Sequence, residues 1–78
     1  MAIGFVLIRV SPSHESEVFK KLSEIPEILE LRSLFGEYDI IAKIVAEDYD
    51  TIGQIIINKI RKIDGITYTS TLTGLEFH

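Results

Sequence analysis

The stretch Gly36-Glu37-Tyr38-Asp39 lies between two apolar runs, Ile28–Phe35 and Ile40–Ala46. Both runs have the length and apolar character of β-strands. Glycine adopts a positive φ without steric cost, so Gly36 predicts a hairpin turn between the two strands. The turn also carries two carboxylates and a phenol hydroxyl, which a hairpin does not require. This polar tip is the first indication of a small-molecule site.

On the N-terminal side of the hairpin, the sequence predicts one strand and one helix. Ala2–Val10 is an apolar run that ends before Pro12, because proline cannot donate to a strand ladder. His14–Ile25 has apolar residues at helical spacing, with Ser13 as the expected N-cap and Pro26 as the stop. The apolar residues that define this helical face are Val18, Phe19, Leu22 and Ile25.

On the C-terminal side of the hairpin, the sequence predicts a second helix and a last strand. Asp48 or Asp50 is the expected N-cap of the helix, and Asp64-Gly65 ends it, since Gly65 suits the position after a helix. Ile66–Phe77 is rich in β-branched residues in its first half and predicts the last strand. The buried stripe of the helix is formed by Ile52, Ile55, Ile56, Ile60 and Ile63.

The resulting order β-α-β-β-α-β is that of the split-βαβ, ferredoxin-like fold. We therefore expect an α+β domain with a four-stranded antiparallel sheet and two helices on one face. The strands Ala2–Val10 and Ile40–Ala46 are apolar on both sides. A sheet face left to water would alternate with polar residues. The second face is therefore expected to pack against the sheet of an identical chain, giving a homodimeric α+β barrel.

Composition narrows the function classes. With 78 residues, the chain is expected to be a single domain, 1–78. Cysteine is absent, and His14 and His78 are far apart in the sequence, so neither a metal site nor a metal cofactor is expected. The net charge of −4 argues against direct nucleic-acid binding. Without a leader pattern or a transmembrane-length run, we expect a cytoplasmic protein with no membrane partner.

A second polar cluster lies in the last strand, where threonines alternate from Thr67 to Thr73. Alternating residues share one face of a strand, and their hydroxyls can donate to a carboxylate or accept from an amide. Ordinary β-propensity accounts equally well for Thr67 and Thr73. The sequence shows no nucleophile with a base, no carboxylate pair at a defined spacing and no phosphate loop. An enzyme is therefore not expected, and no cofactor is implied.

Several motifs follow one another in a recognisable order. They are Pro26-Glu27-Ile28, Gly36-Glu37-Tyr38-Asp39, Asp48, Asp64-Gly65-Ile66 and Thr69-Ser70-Thr71. With these motifs, nearly the whole chain resembles the effector module, or RAM domain, of the Lrp/AsnC transcription regulators. That family usually carries an N-terminal helix-turn-helix. This sequence begins directly at the first strand, so it resembles the stand-alone form of the module.

The resemblance implies function, assembly and site residues. Such modules dimerise through their sheets, assemble further, commonly to octamers, and bind amino acids in clefts between dimers. By this resemblance, the effector site contains Gly36, Tyr38, Asp39, Thr69 and Thr71. The expected function is an amino-acid-binding regulatory module. It would modulate transcription through full-length Lrp/AsnC-type partners, without contacting DNA itself.

Three other interpretations remain open on the sequence. Small dimeric α+β barrels include cofactor-free monooxygenases and isomerases, which need a polar or histidine-containing pocket between sheet and helices. ACT-type modules share the strand order but usually bind their ligand near a glycine-rich turn after the first strand. Here that segment is Ser11-Pro12-Ser13-His14, without glycine. A purely structural oligomerisation module without a ligand is the third.

Overall fold

The chain folds in the predicted order, and the computed structural model describes residues 1–73. The sheet order is β2-β3-β1-β4, and each neighbouring pair is antiparallel. A π-helical segment, Ile56–Ile60, continues the second helix. The ferredoxin-like βαββαβ fold is therefore confirmed. The elements are β1 (Ala2–Val10), α1 (Glu15–Ser23), β2 (Ile28–Ser33), β3 (Ile40–Ala46), α2 (Tyr49–Ile55) and β4 (Ile66–Thr73).

Alternation along β1 determines which side of the sheet is covered. Val6 and Ile8 are fully buried, whereas Phe5 and Leu7 point to the opposite face and stay partly accessible. The helices contribute the other half of the core, and burial of each large aliphatic side chain contributes about 1.5–3 kcal/mol. The fully buried helical residues include Val18, Leu22 and Ile60. The predicted apolar stripes of both helices are thus confirmed as the core between helices and sheet.

The start of α1 differs from the prediction. Ser13 is not the N-cap: the cap position is His14, without a side-chain cap bond, and the helix runs from Glu15 to Ser23 instead of from His14 to Ile25. The His14 N–H donates to the Ser11 carbonyl at 3.1 Å, and Ser13 has a φ of 71°. Proline second and a positive φ third are typical of a type II turn. Ser13 is therefore part of the turn that reverses the chain, and its side chain does not cap the helix.

β2 ends earlier than predicted, and β4 is described as far as Thr73. β2 stops at Ser33 instead of Phe35, and the Leu34 N–H donates to the Asp39 carbonyl at 2.8 Å across the turn. Phe35 is fully exposed there. Gly36 has a φ of 118°, which confirms the predicted glycine turn. The last strand was predicted over Ile66–Phe77, and its part beyond Thr73 lies outside the described residues.

Of the two predicted candidates, Asp48 is the N-cap of α2, and Asp50 lies in its first turn. Its carboxylate accepts hydrogen bonds from the Thr51 N–H at 2.8 Å and the Thr51 hydroxyl at 2.7 Å. The hydrogen bond from the Thr51 side chain, aided by the one from its backbone, lowers the pKa of the Asp48 carboxyl. At the other end, the Arg61 N–H donates to the Ile56 carbonyl at 2.8 Å and closes the π-helical segment, so the helix ends at Ile60 and not at Asp64-Gly65 as predicted.

An ion pair links the π-helical segment to the residue just before β2. The Lys59 ammonium donates to both carboxylate oxygens of Glu27, at 2.9 and 2.7 Å. This hydrogen bond is the main reason that the pKa of the Glu27 carboxyl is lowered. A group whose pKa is lower in the folded state stabilises the fold above its unfolded pKa. That contribution is lost as the pH falls through the folded pKa.

We therefore expect Glu27→Gln to reduce the acid sensitivity of the fold. The pair is solvent-accessible, so its contribution at pH 7 is at most about 1 kcal/mol. The measurement is Tm at pH 7 and pH 3 for wild type and variant, and the pH-dependent loss should be smaller in Glu27→Gln. Glu24→Gln is the matched control, because Glu24 forms no ion pair with residues 1–73. Equal effects of the two variants would contradict the assignment.

Candidate functional site

Asp39 holds the β2–β3 turn against the end of β1. Its N–H donates to the Ile8 carbonyl at 2.9 Å, and its Oδ2 accepts from the Val10 N–H at 2.7 Å. Its carbonyl accepts the bond from Leu34 that closes the turn. The second carboxylate oxygen, Oδ1, has no hydrogen bond within residues 1–73. Asp39 is therefore a structural link that still offers one oxygen to a ligand.

Beside this turn, an arginine contacts two tyrosine rings on the sheet face away from the helices. The Arg9 guanidinium carbon is 5.0 Å from the centre of the Tyr38 ring and 5.6 Å from that of Tyr68. The two rings stack with centroids 6.3 Å apart. The Arg9 Nη2 donates to the Glu37 carboxylate at 2.9 Å. Tyr38 is thus held by cation–π and stacking contacts on this face.

Arg9 and Tyr68 were not predicted as part of this arrangement. Arg9 pairs with Tyr68 across β1 and β4, at the irregularity between Arg9 and Val10. The Nε atom of Arg9 is buried and has no hydrogen-bond partner among the described residues. The available signal was a single charged residue inside the apolar run Ala2–Val10. Its partners depend on the strand register, which the sequence alone does not give.

The predicted threonines lie on the helix-facing side of the edge strand β4. Thr69 pairs with Ile8 and Thr71 with Val6, and directly paired residues point to the same face. Thr67 falls at the register irregularity, and its hydroxyl donates to the Arg9 carbonyl at 3.3 Å. Thr69 is half-buried, whereas Thr71 is exposed. Because β1 separates β3 from β4, the threonines and the turn lie on opposite sides of β1.

Two clefts result at this end of the sheet. The first, here called the turn cleft, has a volume of about 430 Å³ and contains Gly36 and Asp39. The second, the strand cleft, has a volume of about 210 Å³ and contains Thr69. Tyr38 and Thr71 line neither cleft. The turn cleft is lined by Glu15, Ser33, Leu34, Phe35, Gly36 and Asp39. The strand cleft is lined by Arg61, Ile66, Thr67, Tyr68 and Thr69. One chain therefore does not bring the five predicted residues together.

The sheet face opposite the helices is largely apolar. Phe5 is 36% exposed and Leu72 is 54% exposed, and the two are paired across β1 and β4. The Lys43 ammonium lies 6.0 Å from the centre of the Phe5 ring and covers part of it. The other apolar residues of this face are Ile3, Leu7, Ile41 and Val45. Exposed apolar side chains grouped on one face of a sheet typically mark an interaction site.

Within residues 1–73, no three His, Cys, Asp or Glu side chains lie close enough together to hold a metal ion. No helix formed by these residues has both the length and the apolar character needed to cross a bilayer.

Comparison with known proteins identifies the family. Residues 3–76 match the family profile of the Lrp/AsnC ligand binding domain. An uncharacterized HTH-type transcriptional regulator of Pyrococcus furiosus is 37% identical over 74 residues, which cover 91% of this chain and 49% of that protein. The chain spans about half the length of the curated relatives it matches.

Solved structures agree with this assignment. The crystal structure of FFRP-DM1 superposes with a TM-score of 0.90 at 36% identity, covering 96% of this chain and 100% of that one. The structure of E. coli AsnC gives a TM-score of 0.90 at 30% identity, covering 97% of this chain and 52% of that one. The chain therefore belongs to the Lrp/AsnC family, with the ligand-binding domain over residues 3–76.

Proposed function

We propose that this chain is a regulatory module that binds a free amino acid and changes the behaviour of Lrp/AsnC-type transcription regulators. The observation that carries the proposal is the hydrogen-bonded turn at Asp39, which offers a free carboxylate oxygen at a cleft of a ligand-binding domain. A fixed carboxylate is a suitable partner for an α-ammonium group. As a partner of transcription regulators, the module would act in the cytoplasm, and it needs no catalytic group for this role.

We further propose that two chains pack their apolar sheet faces together. An identical chain supplies a self-complementary apolar surface, as twofold dimers do. Dimers would then assemble further, up to octamers, and bring clefts of different chains together. Full-length relatives carry the same domain within proteins twice as long, so they could join the same assembly. In this way the module would alter DNA binding without contacting DNA.

The test of ligand binding is a thermal-shift measurement with each of the twenty amino acids. A ligand at 100 times its Kd adds roughly 2.7 kcal/mol to the stability of the state that binds it. For a domain of this size, that raises Tm by about 10 °C or more. We expect such an increase with one or a few amino acids. No increase with any of them would contradict amino-acid binding and favour the structural oligomerisation module.

Asp39→Asn tests the role of the turn. The Asn side chain can still accept the hydrogen bond from Val10, so the fold is kept while the charge is lost. We expect the affinity for the amino acid to fall about tenfold, as for the loss of a hydrogen bond to a charged group. Asp50→Asn is the matched control, because Asp50 lies in the first turn of α2, beyond the opposite end of β3. Equal affinities of Asp39→Asn and wild type would exclude Asp39 from the site.

A further inference from the structure

Charged side chains occupy one side of the apolar sheet face. Across β2 and β3, Glu30 pairs with Lys43, and Arg32 pairs with Ile41. Lys43 pairs in turn with Phe5 of β1, and directly paired residues point to the same face. These five residues line a shallow cleft of about 60 Å³. We call Glu30, Arg32 and Lys43 the charged flank of the sheet face; on the other side of β1, β4 carries no charged side chain.

The charged flank forms no ion pair with the rest of residues 1–73. Glu30 and Arg32 are both exposed, and neither is paired with the other or with any further charged group in that range. Lys43 stands opposite Glu30, yet its ammonium lies over an aromatic ring of β1, 6.0 Å from the ring centre. By contrast, the Arg9 guanidinium on the same face is held by Glu37 at 2.9 Å. The flank therefore presents one carboxylate and one guanidinium that are free to meet a partner.

A twofold sheet-face dimer can be built in two orientations. An axis along the strands places the charged flank of one chain over β4 of the other, where the described strand has no charged side chain. An axis across the strands places β2 over β2, running in opposite directions. Glu30 and Arg32 lie two residues apart, so their side chains share one face about 7 Å from each other. In the second orientation each carboxylate faces the guanidinium of the other chain, because twofold symmetry exchanges the two positions.

We infer that the charged flank determines the partner and the orientation of the sheet-face dimer. Glu30 of one chain pairs with Arg32 of an identical chain, twice per dimer, and the two β2 strands lie antiparallel across the interface. This inference rests on the proposed sheet-face dimer and adds its axis and its specificity. The partner is a second copy of this chain, because the alternation of acid and base complements itself. A chain with two acids or two bases at these positions would meet like charges.

The first experiment mixes two variants, Glu30→Lys and Arg32→Glu. In either homodimer, like charges face each other at both positions, whereas a mixed dimer pairs opposite charges. We expect each reversal to raise the homodimer Kd about tenfold, measured by analytical ultracentrifugation. One variant is labelled with heavy nitrogen, both are unfolded in urea and refolded together, and native mass spectrometry counts the dimers. We expect about 90% mixed dimers, against about half for random assortment.

Glu17→Lys and Lys21→Glu are the matched control. They make the same changes in net charge on exposed positions of α1, on the helix side of the sheet. We expect this mixture to assort randomly. Raising the salt concentration to about 1 M, where the screening length is about 3 Å, should reduce the excess of mixed dimers in the first pair. An excess that is the same in the control pair would reflect net charge and would overturn the inference.

The double variant Glu30→Arg/Arg32→Glu restores the alternation in reverse order. We expect its homodimer Kd to return to within about threefold of wild type. Refolded together with wild type, it should form few mixed dimers, because like charges then face each other at both positions. A double variant that dimerises as weakly as the single reversals, or that mixes freely with wild type, would overturn the pairing of Glu30 with Arg32.

Failure of the dimer and failure of this inference give different results. If wild type has the mass of a single chain, 8.8 kDa, the sheet-face dimer fails and the inference fails with it. If wild type is dimeric but the variants Glu30→Lys and Arg32→Glu assort randomly, the dimer stands and the charged flank does not select the partner. That result would favour the orientation in which β2 lies over β4.

Discussion

Replacing Gly65 with alanine is expected to destabilise the fold by about 2–5 kcal/mol. Gly65 has a φ of 102°, where a side chain is strained by about 1–2 kcal/mol. A Cβ there would lie 2.9 Å from His14 Cβ and 2.9 Å from Val18 Cγ2. Overpacking of this kind adds about 1–3 kcal/mol. The change would disturb the junction where the start of β4 meets α1.

Gly36→Ala provides the matched control. Gly36 has a similar φ of 118°, but a Cβ at that position has nothing within 4 Å. Only the backbone strain of about 1–2 kcal/mol then applies. The measurement is the free energy of unfolding from urea titration of wild type and both variants. Equal losses in the two variants would show that the contacts of Gly65 with α1 relax without cost.

Replacing Leu7 with glutamate is expected to separate the proposed sheet-face dimer into single chains. Leu7 lies in the centre of β1, paired with Ile41 and Ser70 on the face opposite the helices. In a single chain, the carboxylate would remain accessible to water. In a dimer, two carboxylates would be buried without partners, and each burial costs several kcal/mol. We therefore expect the dimer Kd to rise on the order of 100-fold or more.

The control for this variant is Ile57→Glu. Ile57 is 55% exposed but belongs to the π-helical segment, on the other side of the sheet. Light scattering during size-exclusion chromatography gives the mass in solution. We expect Leu7→Glu to approach the chain mass of 8.8 kDa, while Ile57→Glu retains the sheet-face dimer. A wild-type protein of 8.8 kDa, or an unchanged Leu7→Glu mass, would contradict sheet-face dimerisation.

The sequence predicted those elements whose signals are local. The apolar stripe of α2 and the two-sided apolar pattern of β1 depend only on spacing along the chain. The predicted end of β2 was wrong because Phe35, although apolar, is exposed in the turn. The cap at Ser13 was wrong because a residue suited to capping instead adopts a positive φ in a turn. At both positions, the backbone conformation of the turn determines the structure, and the intrinsic preference of the side chain does not.

The candidate site was only partly predictable for a related reason. The turn at Gly36 and the threonine row are visible as local motifs. Their position on opposite sides of β1 depends on the strand order, and the partners of Arg9 depend on the register. The lining of the two clefts depends on both, since Glu15 opens α1 and Arg61 follows the π-helical segment, far away in the sequence. No local sequence motif links these two residues.

The two edges of the sheet differ in their protection against aggregation. The edge strand β2 carries Glu30 and Arg32 and has an irregular register with β3 near its start, features that discourage pairing with foreign strands. The opposite edge, β4, runs for eight residues without a charged side chain. Uncharged strands with high β-propensity are the segments that stack into fibrils when they become accessible. At high concentration, we therefore expect fibril growth to begin from Ile66–Thr73, the edge strand without charged side chains.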